Sequence, residues 1–300
     1  MTAPKKKADS SADRKRVRAL LKAVADNPEG GTLLQIAKDK NIRIVMSDRP
    51  AKQGAVGLFN GDAKRIDLQR GAKDDTLVGV LAHELRHMWQ SKRTNLDTDG
   101  LSARDALVHR RVVEGDAFAY QIRFEINQRQ DELDGLRKAL ADIPDRKQAA
   151  SALKEFNKVC QKAEMKAFFL TMQEDMAAYD KQTLDLLRLK LKLSQLYIKQ
   201  GKLIDQVPSK SPKLQKERRK VDGELKKIFN SVAKPRPLPD SLLDIAREGL
   251  AKDSPKYLRH KDVQSLAAYV RKQIPAKTLA RAEALEQKII ATISKAGKAP

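Results

Sequence analysis

Leu77-Val78-Gly79-Val80-Leu81-Ala82-His83-Glu84-Leu85-Arg86-His87-Met88-Trp89 sets both a local fold and a chemistry. Residues four apart share one face of a helix. His83 and His87 therefore offer two imidazoles to a single metal ion. Glu84, about 100° round the helix from His83, stands beside such an ion rather than on it. That is the station of a general base for a metal-bound water. Leu77, Val78, Leu81, Leu85, Met88 and Trp89 lie on the opposite arc and form a core-facing stripe. Asp74, Asp75 and Thr76 supply N-cap and first-turn chemistry ahead of it.

Two ligands do not make a catalytic metal site, which needs three protein ligands and one open position. No third histidine follows within a turn or two of His87. Glu114 and His109 are the candidates farther along, both in a helical pattern running from Ser102 to Arg129. They are five residues apart, so on a continuous helix they face about 140° away from each other. One rigid face cannot present both. Glu114 is preferred for its apolar setting, between Val112-Val113 and Ala117-Phe118-Ala119, and His109 is read as a polar or core histidine. Asp116, about 160° from Glu114, is a poor joint ligand. It is read instead as a group that could orient a ligand histidine if the helix distorts at Gly115. Arg86 falls at the edge of the metal face. Two readings stay open for it: restraint by a carboxylate, or contact with substrate. Tyr120, Arg86 and His260 are candidate donors to an oxyanion, and none is uniquely marked.

Leu81-Ala82-His83-Glu84-Leu85-Arg86-His87-Met88-Trp89-Gln90, followed by Glu114-Gly115-Asp116-Ala117, resembles bacterial zinc metallopeptidases of the gluzincin type. In these a distant glutamate completes the H-E-x-x-H site. The pattern is most similar to an uncharacterised proteobacterial metallopeptidase family with His-Glu-Leu-Arg-His and Glu-x-Asp-Ala. It also resembles the ImmA/IrrE group through Glu114-Gly115-Asp116-Ala117-Phe118-Ala119. The resemblance covers about residues 30 to 127. It implies His83, His87 and Glu114 as ligands of one Zn²⁺ and Glu84 as the base. Gly115, Asp116 and Arg86 depart from the ImmA/IrrE pattern, so that group's cleavage of regulatory DNA-binding proteins does not transfer.

Composition bounds the rest. The chain has 300 residues, 41 % hydrophobic but only 4 % aromatic, so its core is aliphatic. A single cysteine, Cys160, excludes an intramolecular disulfide framework and fits a reducing compartment. Residues 1–18 are basic without an apolar core, unlike a secretory leader. No stretch reaches the length of a membrane span. A cytoplasmic location is expected, although export without such a leader is compatible with these facts. The net charge is +22. Its densest block, residues 181–220, holds 12 basic and 3 acidic residues. Such a surface attracts acidic protein segments or nucleic acid. No aromatic interleaving accompanies the charge, which weakens the nucleic-acid reading.

The expected fold class is α+β: a small antiparallel sheet with zincin active-site helices, then a mostly α-helical C-terminal half. The expected organisation is a disordered basic tail (1–12), a zincin-like domain (13–130) and a basic helical extension (131–300). Helices are expected over Arg14–Ala25 and Thr32–Lys40, and strands over Ile42–Met46, Ala55–Phe59 and Lys64–Leu68. Asn60-Gly61-Asp62 turns the last two into a hairpin. An edge of that hairpin, Gly54–Leu68, is a candidate to pair with an extended substrate. Helices follow over Ser102–Arg129, Glu132–Leu140, the long run Ser151–Gln200 and Leu214–Phe229, with two or three more to the end. Phe168, Phe169, Met172, Met176 and Tyr179 read as core or helix contacts. Together these features point to a zinc-dependent hydrolase acting on peptide bonds of a protein substrate. The rival reading is a non-enzymatic zincin shell whose basic half binds protein or nucleic acid.

Overall fold

β-Branched and apolar residues at 43–47 and 65–69 extend the chain into strands, and Gly61 with Lys64 in the left-handed region reverses it between two of them. The structure, a computed structural model, describes residues 10–173, 176–207, 211–242, 244–245 and 263–297. Residues 1–9, most of the expected basic tail, lie outside these, as does His260; so do the side chains of Cys160, Phe168, Phe169 and Met172. The chain divides into two units, one of Met1–Thr94, Val113–Phe169 and Asp244–Leu258, the other of Asn95–Val112, Leu170–Leu243 and Arg259–Pro300.

In the first unit, Ser10 caps α1 (Ser11–Ala25) with a reciprocal bond to Asp13. There follow α2 (Pro28–Asp39), β1 (Arg43–Ser47), the one-turn α3 (Arg49–Lys52), β2 (Gly57–Asn60) and β3 (Arg65–Gln69). The strand order is β1-β3-β2. β2 and β3 form the expected antiparallel hairpin, whereas β1 joins β3 in parallel, so the sheet is mixed. After β1 the chain turns through α3 and Gly54, at φ +69°, and lays β2 on the far side of β3. The central β3 is buried on both faces: Ile66, Asp67 and Leu68 are all inaccessible to solvent. Arg65 and Arg49 answer the Asp67 charge.

α4 (Asp74–Arg93) packs on this sheet and on α1 and α2. Its N-cap is Lys73, without a side-chain cap bond; Asp74 and Asp75 sit one step inside, in the first turn, where they favour the helix dipole. Arg16 of α1 binds Asp74 and the carbonyls of Arg70 and Ala72, pinning the helix start. Leu77, Leu81, Leu85 and Met88 are fully buried, as the stripe predicts. So are many residues of the other face, including Glu84, Arg86 and Gln90. α5 (Ala103–Gln128) is continuous through Gly115. α6 (Gln130–Ala141) and α7 (Arg146–Gln173) follow.

The second unit is helical. The described residues of the expected helical run Ser151–Gln200 are helical, in α7 and in α8 (Met176–Asp205), the latter packed on α9 (Pro212–Ala233) and α11 (Ala276–Lys295). α10 (Val263–Gln273) precedes α11. Among the described residues no helix is long and apolar enough to cross a membrane. Buried charges are paired: Arg111, 2 % exposed, grips Asp180 with bonds of 2.6 and 3.3 Å.

His109 is also buried in this unit. Burial first, then the charges of Arg236 and Arg110, lower its pKa to about 4, against the pull of Asn95 and Asp97. The folded value lies below the ordinary 6.5, so the neutral ring contributes stability above about pH 6.5. That contribution is lost as the pH falls through the window from 6.5 towards 4. By pH 5 the loss should reach about 2 kcal/mol. Denaturant unfolding at pH 7.5 and 5 checks this. His109→Gln should lose less stability between the two pH values than the wild type does.

Candidate metal centre

His83 and His87 project from one face of α4, one helical turn apart, and α5 delivers Glu114 to them. Their ligand atoms all lie within 4.8 Å of one another. His83 Nε2 and His87 Nε2 are 3.0 Å apart. Glu114 Oε2 is 3.3 Å from His87 Nε2 and 3.6 Å from His83 Nε2. A tetrahedral zinc with bonds near 2.0–2.1 Å has ligand–ligand edges of about 3.3 Å. The triangle therefore has the size of one face of such a site. The donor set also suits that ion, since imidazole and carboxylate are zinc ligands and three of them leave a fourth position open.

Electrostatics points the same way. Burial alone would raise the Glu114 carboxyl, but the two imidazoles more than reverse this and hold it below the usual carboxylate range. Burial alone would lower the His87 ring, but Glu114, Glu84 and Gln90 together raise it to about 9. A divalent cation between Glu114 and His87 can supply the positive charge that the His87 proton supplies there.

The second face of each ligand is set by neighbours. With Nε2 turned to the ligand triangle, His87 donates from Nδ1 to Gln90 Oε1 at 2.7 Å. Gln90, fully buried, donates in turn to Asp116 Oδ2 at 2.7 Å and to the Val113 carbonyl at 2.8 Å. Arg86 closes the chain with a two-pronged grip on Asp116, at 2.8 and 3.0 Å, and its guanidinium lies 3.6 Å from the centre of the Trp89 ring. Asp116 thus reaches His87 through Gln90, with no distortion of α5. Arg86 is held by a carboxylate, which decides between the two readings left open for it. The His83 ring packs edge-on against Phe118, one turn beyond Glu114, with centroids 4.5 Å apart.

Glu84 is tied to the sheet. Its Oε2 accepts the Phe59 N–H at 2.7 Å. Burial pushes its carboxyl up and Glu114 adds to that, while His83, His87 and the Phe59 N–H pull it back. Gly57 makes the approach feasible: a Cβ there would fall 2.5 Å from Val80 Cγ1 and 2.7 Å from Glu84 Oε1. The strand can lie this close to the helix only where that side chain is absent.

Of the other sequence candidates, His109 is not in the cluster. Tyr120 is buried, with its ring 5.2 Å from the guanidiniums of both Arg86 and Arg123. Gln90, Phe118, Phe59 and Gly57 were not singled out by sequence reasoning. Gln90 had a signal, since it lies three residues past His87 and shares its face.

No curated protein and no solved structure matches the chain. Residues 1–178, which include every residue of this centre, match one described family. The chain belongs to the Putative metallopeptidase family (DUF6782).

Proposed function

We propose that the protein is a zinc-dependent peptidase in which His83, His87 and Glu114 hold one Zn²⁺ and Glu84 is the general base. The observation that carries this is the ligand triangle, with edges of 3.0, 3.3 and 3.6 Å, beside a buried carboxylate. The bound ion supplies Lewis acidity towards the peptide carbonyl and lowers the pKa of the attacking water. Glu84 takes a proton from that water and returns it to the leaving amine. Gln90 holds the His87 tautomer, Asp116 holds Gln90, and Arg86 holds Asp116.

The substrate arrives along β2. In an antiparallel pair successive residues turn their backbone groups alternately towards and away from the partner strand. Val56 turns its carbonyl to Gln69, next to β3, so Gly57 and Phe59 face the open edge. An extended peptide added there would pair with the Gly57 backbone and the Phe59 carbonyl, the Phe59 N–H being held by Glu84, and pass beside Glu84. Main-chain pairing of this kind reads backbone, not side chains, and so commits to peptide substrates.

Elemental analysis of the full chain tests the ligand set. We expect one zinc per wild-type chain and loss of stoichiometric zinc in Glu114→Ala. Unchanged stoichiometry and affinity in that variant would remove Glu114 from the site.

A further inference from the structure

Helix α8 is apolar on two faces. Leu184 and Leu187, with Ser194 and Gly201, are buried on its inner face. Along a different arc run Leu186, Leu189, Leu193, Leu196, Gln200 and Leu203, in steps of three and four residues. On that arc Leu189, Leu196 and Leu203 stay 51, 61 and 54 % exposed. Leu189 and Leu196 each follow a buried residue, Leu187 and Ser194, by two positions, which places them about 160° round the helix from the inner face. Burial in the helical bundle therefore does not explain them.

The spacing says what kind of surface this is. A regular alternation of three and four is the a/d seam of a coiled coil. It is narrower than the arc a helix turns to a broad core or to a lipid interface. Gln200 interrupts the leucines at one seam position, where a polar residue fixes register at some cost in stability.

Charge says what kind of helix fits. Between Asp185 and Asp205 there is no acidic residue, while Arg188, Lys190, Lys192, Lys199 and Lys202 all fall in that interval. Arg188 is engaged by Asp185, and Lys190 by Asp99 and Ser231. Lys192, Lys199 and Lys202 are exposed and make no ion pair among the described residues. Lys192 and Lys199 immediately precede the seam residues Leu193 and Gln200, where flanking charges choose a partner. Two copies of α8 laid together would oppose lysine to lysine, which disfavours self-pairing. We propose that the outer face of α8 is a docking seam for an α-helix of another protein, one whose apolar heptad stripe is flanked by Asp and Glu. This holds whatever the metal centre does.

The probe is a synthetic multi-heptad peptide with leucine at its seam positions and glutamate at its flanks, titrated by fluorescence anisotropy into the full chain. Binding is expected, weakening as salt is raised. Leu196→Glu and Leu189→Glu should each weaken it by about tenfold or more. Both side chains are exposed, so circular dichroism and Tm should stay at wild-type values. Peptides with lysine flanks, or with serine at the seam, should bind at least about tenfold less tightly. No binding, or equal binding by Leu196→Glu, overturns the proposal. So does self-association of the wild type that Leu196→Glu abolishes, which would seat a second copy on the seam. Co-sedimentation with anionic vesicles that the same variant abolishes would seat a lipid surface there instead.

Discussion

Glu84→Gln is expected to lower peptide hydrolysis by about 10²–10⁴-fold while leaving zinc content unchanged. The barrier should rise by about 3–5 kcal/mol. Glutamine keeps the shape of the side chain, and its amide oxygen can still accept the Phe59 N–H, so the close contact of β2 with α4 survives. What it loses is basicity. The three ligands project from other positions and retain their geometry. The measurement is kcat/KM on a cleavable peptide, paired with elemental analysis of the same preparation. Full activity with full zinc would show that Glu84 is not the base.

Arg86→Met should destabilise the fold by about 3–5 kcal/mol, the usual cost of leaving one member of a buried pair unanswered. Asp116 is inaccessible to solvent, and its remaining partner is the Gln90 amide. Methionine fills much of the volume over Trp89 but brings no charge. Adding Asp116→Leu to Arg86→Met removes the stranded carboxylate, so stability should partly return. Zinc affinity should not return with it. Gln90 then lacks the acceptor that aligns it on His87, and loss of such outer partners weakens metal binding by about 10–100-fold. Denaturant unfolding and competition with a chelator separate the two effects. A single Arg86→Met variant within about 1 kcal/mol of wild type would show that Asp116 is not held by that pair.

The parts of this fold that were legible in the sequence were the local and periodic ones. The stripe from Leu77 to Trp89 defines the buried arc of α4 because helical periodicity is intrinsic to the chain. The Asn60-Gly61-Asp62 turn defines the β2–β3 hairpin for a similar reason. The parallel pairing of β1 with β3 left no trace, since Arg43–Ser47 looks alike beside either neighbour and the direction is set by the loop at Gly54. At the metal centre, the separation of His87 and Glu114 says only that a second helix must come near. Which residues then meet depends on the rotation of α5 against α4. Gln90, Asp116 and Arg86 find one another through that rotation, and a helix-by-helix reading left Asp116 needing a distortion that α5 does not have. The burial of α4 on all sides between Leu77 and Gln90 was hidden in the same way. Its polar side chains mark a face for ligands, and the sequence does not say how many of them are covered.

The bond from Phe59 to Glu84 has an evolutionary corollary. The donor is a main-chain N–H, so replacing the phenylalanine with almost any other residue leaves it in place. Proline alone lacks that hydrogen. The side chain itself packs against the core, so position 59 can change among apolar residues without loosening that bond. The tie between sheet and helix thus outlasts a change of side chain at that position.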